Sequence, residues 1–125
     1  MKVWHRADKL AKKIHRLTLS FPKFETYELG SQMRRSAGSI PDNIAEGSCK
    51  KTAKDFINYL NHSKGSASEL ESQIGRAFSA GYISEFDRDR LLKELSEIVK
   101  MICGVIRYLN RNGYRLKKRF ARDTH

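Results

Sequence analysis

The sequence predicts an all-α fold: an antiparallel up-down-up-down four-helix bundle with a Pro-kinked second helix. Three observations lead there. Apolar residues recur at spacings of three and four along almost the whole chain. Two Pro and eight Gly in 125 residues are little punctuation for a many-stranded β protein. The gaps between the apolar stripes are only a few residues long, so successive helices must pack as antiparallel neighbours. A hydrophobic share of 39% suffices for the core of one domain. Residues 1–110 are read as that bundle and residues 111–125 as a basic tail.

The first helix, over about residues 3–20, follows from Trp4, Ala7, Ala11, Ile14, Leu17 and Phe21. Phe21-Pro22 ends it, because the residue before Pro is pushed out of the α region, and Lys23–Tyr27 reads as loop. Leu29, Met33, Ala37, Ile40 and Ile44 define the second helix, ending near Gly47. Pro41 lies inside it, lacks a backbone donor and crowds the carbonyl of Ala37. A kink is expected there instead of a break, since the stripe stays in phase to Ile44.

The third helix starts at a Thr52 cap with Asp55 three residues on. Ala53, Phe56, Leu60, Ser63, Ala67, Leu70, Ile74, Ala77 and Gly81 alternate steps of three and four, the 3.5-residue period of near-parallel helix packing. Ser63, Gly65, Ser66, Ala67 and Ser68 make its middle small, so a neighbouring backbone can approach, and Gly81 suits a C-terminal cap. Ser84 caps the fourth helix, whose stripe is Leu91, Leu95, Ile98, Ile102, Val105 and Leu109, closed by Asn112-Gly113.

Catalytic and metal signatures do not assemble. His5, His15, His62 and His125 never fall in an H-E-x-x-H or Glu-x-x-His arrangement. Ser48-Cys49-Lys50-Lys51 fits S-x-x-K but lacks its companion elements. Gly47–Thr52 has Lys50 where a phosphate loop needs its second Gly, and it follows a helix instead of a strand. The expectation is a non-enzymatic protein with no catalytic residue, cofactor, metal or small-molecule substrate. Two widely separated Cys form no disulfide framework and suit a reducing cytoplasm. No run of about 18 apolar residues would span a membrane, and Met1–Arg6 is followed by no signal-peptide core.

Charge is the remaining clue. Lys and Arg number 25 against 14 Asp and Glu, a net +11. Residues 1–30 hold seven basic and three acidic side chains, residues 56–110 seven of each, and residues 111–125 six against one. Biased ends point to an anionic partner; the balanced stretch reads as ordinary solvated helix surface. In the tail, Arg111, Arg115, Lys118 and Arg122 would share one face of a helix. Lys117 and Arg119 flank that face, and Tyr114 and Phe120 offer rings for base stacking. Lys9, Lys12, Lys13 and Arg16 on the first helix would extend the surface.

One stretch is specific. Ser31-Gln32-Met33-Arg34-Arg35-Ser36-Ala37 leads into Ser39-Ile40-Pro41-Asp42-Asn43-Ile44-Ala45-Glu46-Gly47. Downstream, Gly65-Ser66-Ala67-Ser68-Glu69-Leu70-Glu71-Ser72-Gln73 precedes Gly81-Tyr82-Ile83. Over roughly residues 3–110 this resembles the bacterial four-helix-bundle family of 23S rRNA intervening sequences, with the accessory variability determinant of diversity-generating retroelements as a distant relative. The resemblance implies a homopentamer without established enzymatic activity. It also implies RNA or DNA as partner and, by the retroelement relatives, a reverse transcriptase. Arg34, Arg35, Ser39, Pro41, Asn43, Glu46, Gly47 and Glu71 occupy the family's motif positions, and the resemblance assigns them no role.

Read from the residues alone, that motif is architectural. Pro41 kinks the helix, Asn43 and Glu46 satisfy backbone groups the kink frees, and Gly47 ends the helix. Arg34 and Arg35 pair with Glu69, Glu71 or another subunit's carboxylates. A ligand site is the competing reading. The functional expectation is an oligomeric, basic, nucleic-acid-binding accessory protein; the alternative is a homo-oligomeric protein-interaction scaffold without nucleic-acid binding. Ten large rings, among them Phe24, Tyr27, Phe86 and Tyr108, exceed what one narrow core absorbs, so some should lie between subunits.

Overall fold

The computed structural model describes residues 1–113. It contains α1 (Lys2–Thr18), α2 (Lys23–Tyr27), α3 (Leu29–Ser48), α4 (Ala53–Ser79) and α5 (Glu85–Asn112). The four long helices form a closed ring of neighbours, α1 beside α3, α3 beside α4, α4 beside α5, and α5 back beside α1. This is the four-helix bundle the apolar spacing requires.

The core stripes of α3 and α5 are those read from the sequence, and that of α4 is buried from Phe56 to Ala77, with Ala53 half-buried and Gly81 exposed. Leu29, Met33, Ala37, Ile40 and Ile44 meet Phe56, Leu60, Ala67, Leu70, Ile74 and Ala77, and all six stripe residues of α5 are buried. In α1 the stripe is rotated. Val3, Ala7, Leu10, Ile14 and Thr18 are its buried line, while Trp4, Ala11 and Leu17 flank it half-buried. A helix turning 3.6 residues per turn drifts off a strict three-four count, and Thr18 escapes a search for apolar residues. Its hydroxyl is buried at no cost in unpaired groups, because it donates to the Ile14 carbonyl at 2.9 Å.

The caps are as expected. Thr52 Oγ1 accepts from the Asp55 amide at 3.1 Å, and Ser84 Oγ from the Asp87 amide at 3.0 Å. Gly81, at φ +81°, closes α4 in a Schellman motif, its amide donating to Phe78 and that of Tyr82 to Ala77.

Two local expectations are corrected. Lys23–Tyr27 is a single helical turn, nucleated after Pro22, whose carbonyl accepts from Glu25 and Thr26 at 2.8 and 3.0 Å. With five residues and none buried, α2 leaves no periodic signal. The end of α3 near Gly47 is as expected, at Ser48 after the helix has run through Pro41, but the role of Gly47 is not to stop it. A Cβ at Gly47 would stand 2.7 Å from Tyr59 Cβ and 2.9 Å from Phe56 Cδ1. Gly is needed there for close helix approach, not for termination.

Candidate nucleic-acid interface

The seam between α1 and α5 gathers the charge. On α1, Lys2, Arg6, Lys9, Lys13 and Arg16 step by 4, 3, 4 and 3, one row along the side that faces away from α3. On α5, Lys93, Lys100, Arg107 and Arg111 form a parallel outward row, with Glu97 and Gly104 at the intervening positions. Contacts across the seam fix the two rows side by side. Arg6 pairs with Glu97 and, at 3.7 Å, with Glu94; Lys13 reaches Glu94 at 3.6 Å; Arg6 also touches Met101 Sδ at 3.7 Å.

Of the seam carboxylates, Glu94 and Glu97 are therefore already engaged, while Asp87 lines the cleft near the start of α5. The hydrogen bond from Arg6, helped by the charges of Arg6, Lys93 and Lys100, holds Glu97 below the usual carboxylate range, and Glu97 in turn raises Arg6 further. Lys2, Lys9, Arg16, Lys93, Lys100, Arg107 and Arg111 are exposed, and none closes a salt bridge among the described residues. A face roughly 20 Å wide, two packed helices across, thus carries a strong positive surplus.

Of the residues singled out by sequence, Lys9, Lys13 and Arg16 lie on this face. Lys12 turns aside to Asp8, at 2.9 Å. Arg111 belongs to the last turn of α5 and continues its row, so it is part of the bundle and not of the tail. Tyr114, Arg115, Lys117, Lys118, Arg119, Phe120 and Arg122 lie outside the described residues. Lys2, Arg6, Lys93, Lys100 and Arg107 were missed. The sevenfold step from Lys93 to Lys100 to Arg107 was the available signal.

The motif residues sit elsewhere, between α3 and its neighbours. Arg34 is a clamp: Nη1 donates to Thr18 Oγ1 and Nη2 to the Thr26 carbonyl, both at 2.9 Å, tying the end of α1 and α2 to α3. Among the described residues it pairs with no carboxylate, so the expected partnership with Glu69 or Glu71 is not made within the subunit. Arg35 and Glu71 are exposed and make no salt bridge with one another. Ser39 Oγ meets Ser66 Oγ at 2.7 Å, and Asn43 Nδ2 donates to the Ser39 carbonyl and hydroxyl at 2.8 and 2.9 Å. The carbonyl that Pro41 deprives of its helical donor is that of Ala37, so Asn43 adds a second bond to a neighbouring turn. Ser63 Oγ donates to the Ile40 carbonyl at 2.9 Å, a contact only a small side chain permits. Glu46 pairs with Lys50 at 3.2 Å, away from the α3 backbone. Pro41 and Gly47 are buried.

Among the described residues, no three His, Cys, Asp or Glu side chains gather as metal ligands, and no helix is long and apolar enough to cross a membrane. Apolar side chains that do reach the surface cluster by position. Leu19, Phe24 and Tyr27 lie around α2, with Phe24 67% and Tyr27 76% exposed, while Phe86 (66%) and Tyr108 (42%) lie near the two ends of α5.

The comparisons agree with this architecture. No curated protein matches the chain. A crystal structure of a protein of unknown function, from the S23 ribosomal protein family of Bacteroides thetaiotaomicron VPI-5482, superposes with a TM-score of 0.74. It is 28% identical over 83% of this chain and 97% of that one. Neither that description nor the family's names an enzymatic activity. The model of the 23S rRNA-intervening sequence protein family matches residues 1–104, and the chain belongs to that family.

Proposed function

We propose that the protein is a non-enzymatic accessory factor that binds nucleic acid through the α1–α5 face. The observation that carries this reading is the double row of cations, along which Glu94 and Glu97 are already consumed by Arg6 and Lys13. Such a surface offers its positive charge to phosphates and gains by releasing their condensed counterions. The five basic residues of 114–125 follow the α5 row in sequence and add to the same charge.

The test is RNA binding by the full chain and by the variant Lys9→Glu/Arg16→Glu/Lys100→Glu/Arg107→Glu. All four side chains are exposed, so the variant should stay folded by circular dichroism and lose at least ten-fold in affinity. A folded variant that binds as tightly as the parent would reject the face. A chain ending at Gly113 separates the share of the tail, expected to be additional to that of the face.

Self-association is the second reading, and a different surface favours it. The outward row of α4, Asn58, Asn61, Gly65, Ser68, Ser72, Gly75 and Ser79, steps by 3 and 4 without a single charge. A Cβ at Gly65 or Gly75 would meet nothing, so glycine is not required there by packing within the subunit. Together with the bare rings of Phe24 and Tyr27, this suits contact with another subunit, and a homopentamer is the assembly the family resemblance implies. Light scattering should return a multiple of 14.4 kDa; a monomer mass at micromolar concentration would reject it.

A further inference from the structure

We infer that the α1–α5 face takes a single strand of nucleic acid, laid along α5, in preference to a duplex. This rests on the proposed function and specifies its ligand. The first reason is shape. The major groove of a DNA duplex, about 12 Å wide, admits one helix, whereas the cations here are spread over two helices packed side by side, roughly 20 Å across. The face cannot enter a groove, so a duplex would meet it only through backbone phosphates.

The second reason is where the rings stand. Phe86 and Tyr108 are 22 residues apart on one continuous helix, about 33 Å at 1.5 Å per residue. Tyr108 stands on the α1 side of α5, and Phe86 is joined to that side through Arg90. Phe86 lies under Arg90, whose guanidinium carbon is 5.4 Å from the ring centroid, and Arg90 lines the cleft between the helices with Lys13, Leu17, Asp87, Leu91 and Glu94. Tyr108 edges an apolar groove formed with Met1, Val3, Met101 and Val105. Between the rings stand Lys93, Lys100 and Arg107. Gly104 sits in that row with no side chain, and a Cβ there would touch only Arg107 Nη2, at 3.8 Å.

Cations in line with a ring at either end suit phosphates that track the row and bases that stack at its ends, the combination by which single strands are held. Paired bases inside a duplex have no free face to offer those rings. A stacked strand spans 33 Å with roughly ten nucleotides at 3.4 Å per step, and an extended one with fewer.

The experiment uses the full chain, a labelled twelve-nucleotide oligouridine, and a twelve-base-pair RNA duplex at the same low salt. The single strand should bind at least ten-fold more tightly. Phe86→Ala combined with Tyr108→Leu, which keeps an apolar group in the Tyr108 groove, should weaken the single strand five-fold or more, near the low end of one stacked base. Duplex binding and the salt slope should not move. Equal affinity for both RNAs, or ring variants without effect on the single strand, would overturn the inference. If the Lys9→Glu/Arg16→Glu/Lys100→Glu/Arg107→Glu variant still loses both RNAs in that case, the face itself stands. If that variant binds both as before, the face falls and the strand preference with it.

Discussion

Gly47 and Gly104 show how one residue type serves opposite purposes in the same chain. At Gly47 an added methyl would collide with Tyr59 Cβ at 2.7 Å and lie 3.3 Å from the Phe56 carbonyl, so Gly47→Ala forces α3 and α4 apart. Overpacking of this kind costs about 1–3 kcal/mol, which outweighs the roughly 1 kcal/mol that Ala gains over Gly in a helix. At Gly104 the methyl has room, and Gly104→Ala should be neutral or stabilising by up to about 1 kcal/mol. Urea denaturation of the two variants should separate them in sign. A Gly47→Ala protein as stable as its parent would show that the close approach is not maintained. From sequence, Gly47 looked like a helix stop because Gly between helices usually is one; only the partner helix reveals the collision. The Arg34 clamp was missed for a similar reason. A search for carboxylates cannot find a clamp made of a threonine hydroxyl and a backbone carbonyl.

At the scale of elements, the long helices were legible and the seam was not. Every stripe residue named on α5 is buried, because burial on one side of a helix leaves a period that survives in sequence. Charge leaves no such record when counted by segment. Residues 56–110 balance at seven against seven, yet Glu85, Asp87 and Asp89 fall in the first turns of α5, where they suit the helix dipole. Lys100, Arg107 and Arg111 follow Glu97 with no acid between them. Averaging along the chain hides a separation that lies along and around the helix.

The seam also carries a pH dependence. Its hydrogen bond to Arg6 lowers Glu97 below the ordinary carboxylate range. A depressed acid contributes stability that is complete above the unfolded value and is lost as pH falls through the folded one. In the native protein, stability should therefore drop on acidification below the usual Glu range, and Glu97→Gln should remove part of that drop. Thermal unfolding followed from neutral pH to pH 3 would check it. Identical acid profiles for the two proteins would mean that the pair adds nothing to stability, as exposed pairs sometimes do.

For the whole molecule, one bundle presents three unlike surfaces. The α3–α4 contact is small-residue packing that holds most of the motif, the outer row of α4 is uncharged, and the α1–α5 side is cationic. The central claim is that the cationic side engages phosphates, and the salt dependence of RNA binding tests it most directly. Four phosphates engaged on a single strand give a slope of log affinity against log salt of about −3. The parent protein should show at least that slope. Lys9→Glu/Arg16→Glu/Lys100→Glu/Arg107→Glu should flatten it toward the share left to the residues after Gly113. A variant whose slope equals the parent's would contradict the claim, because the phosphates would then be held elsewhere.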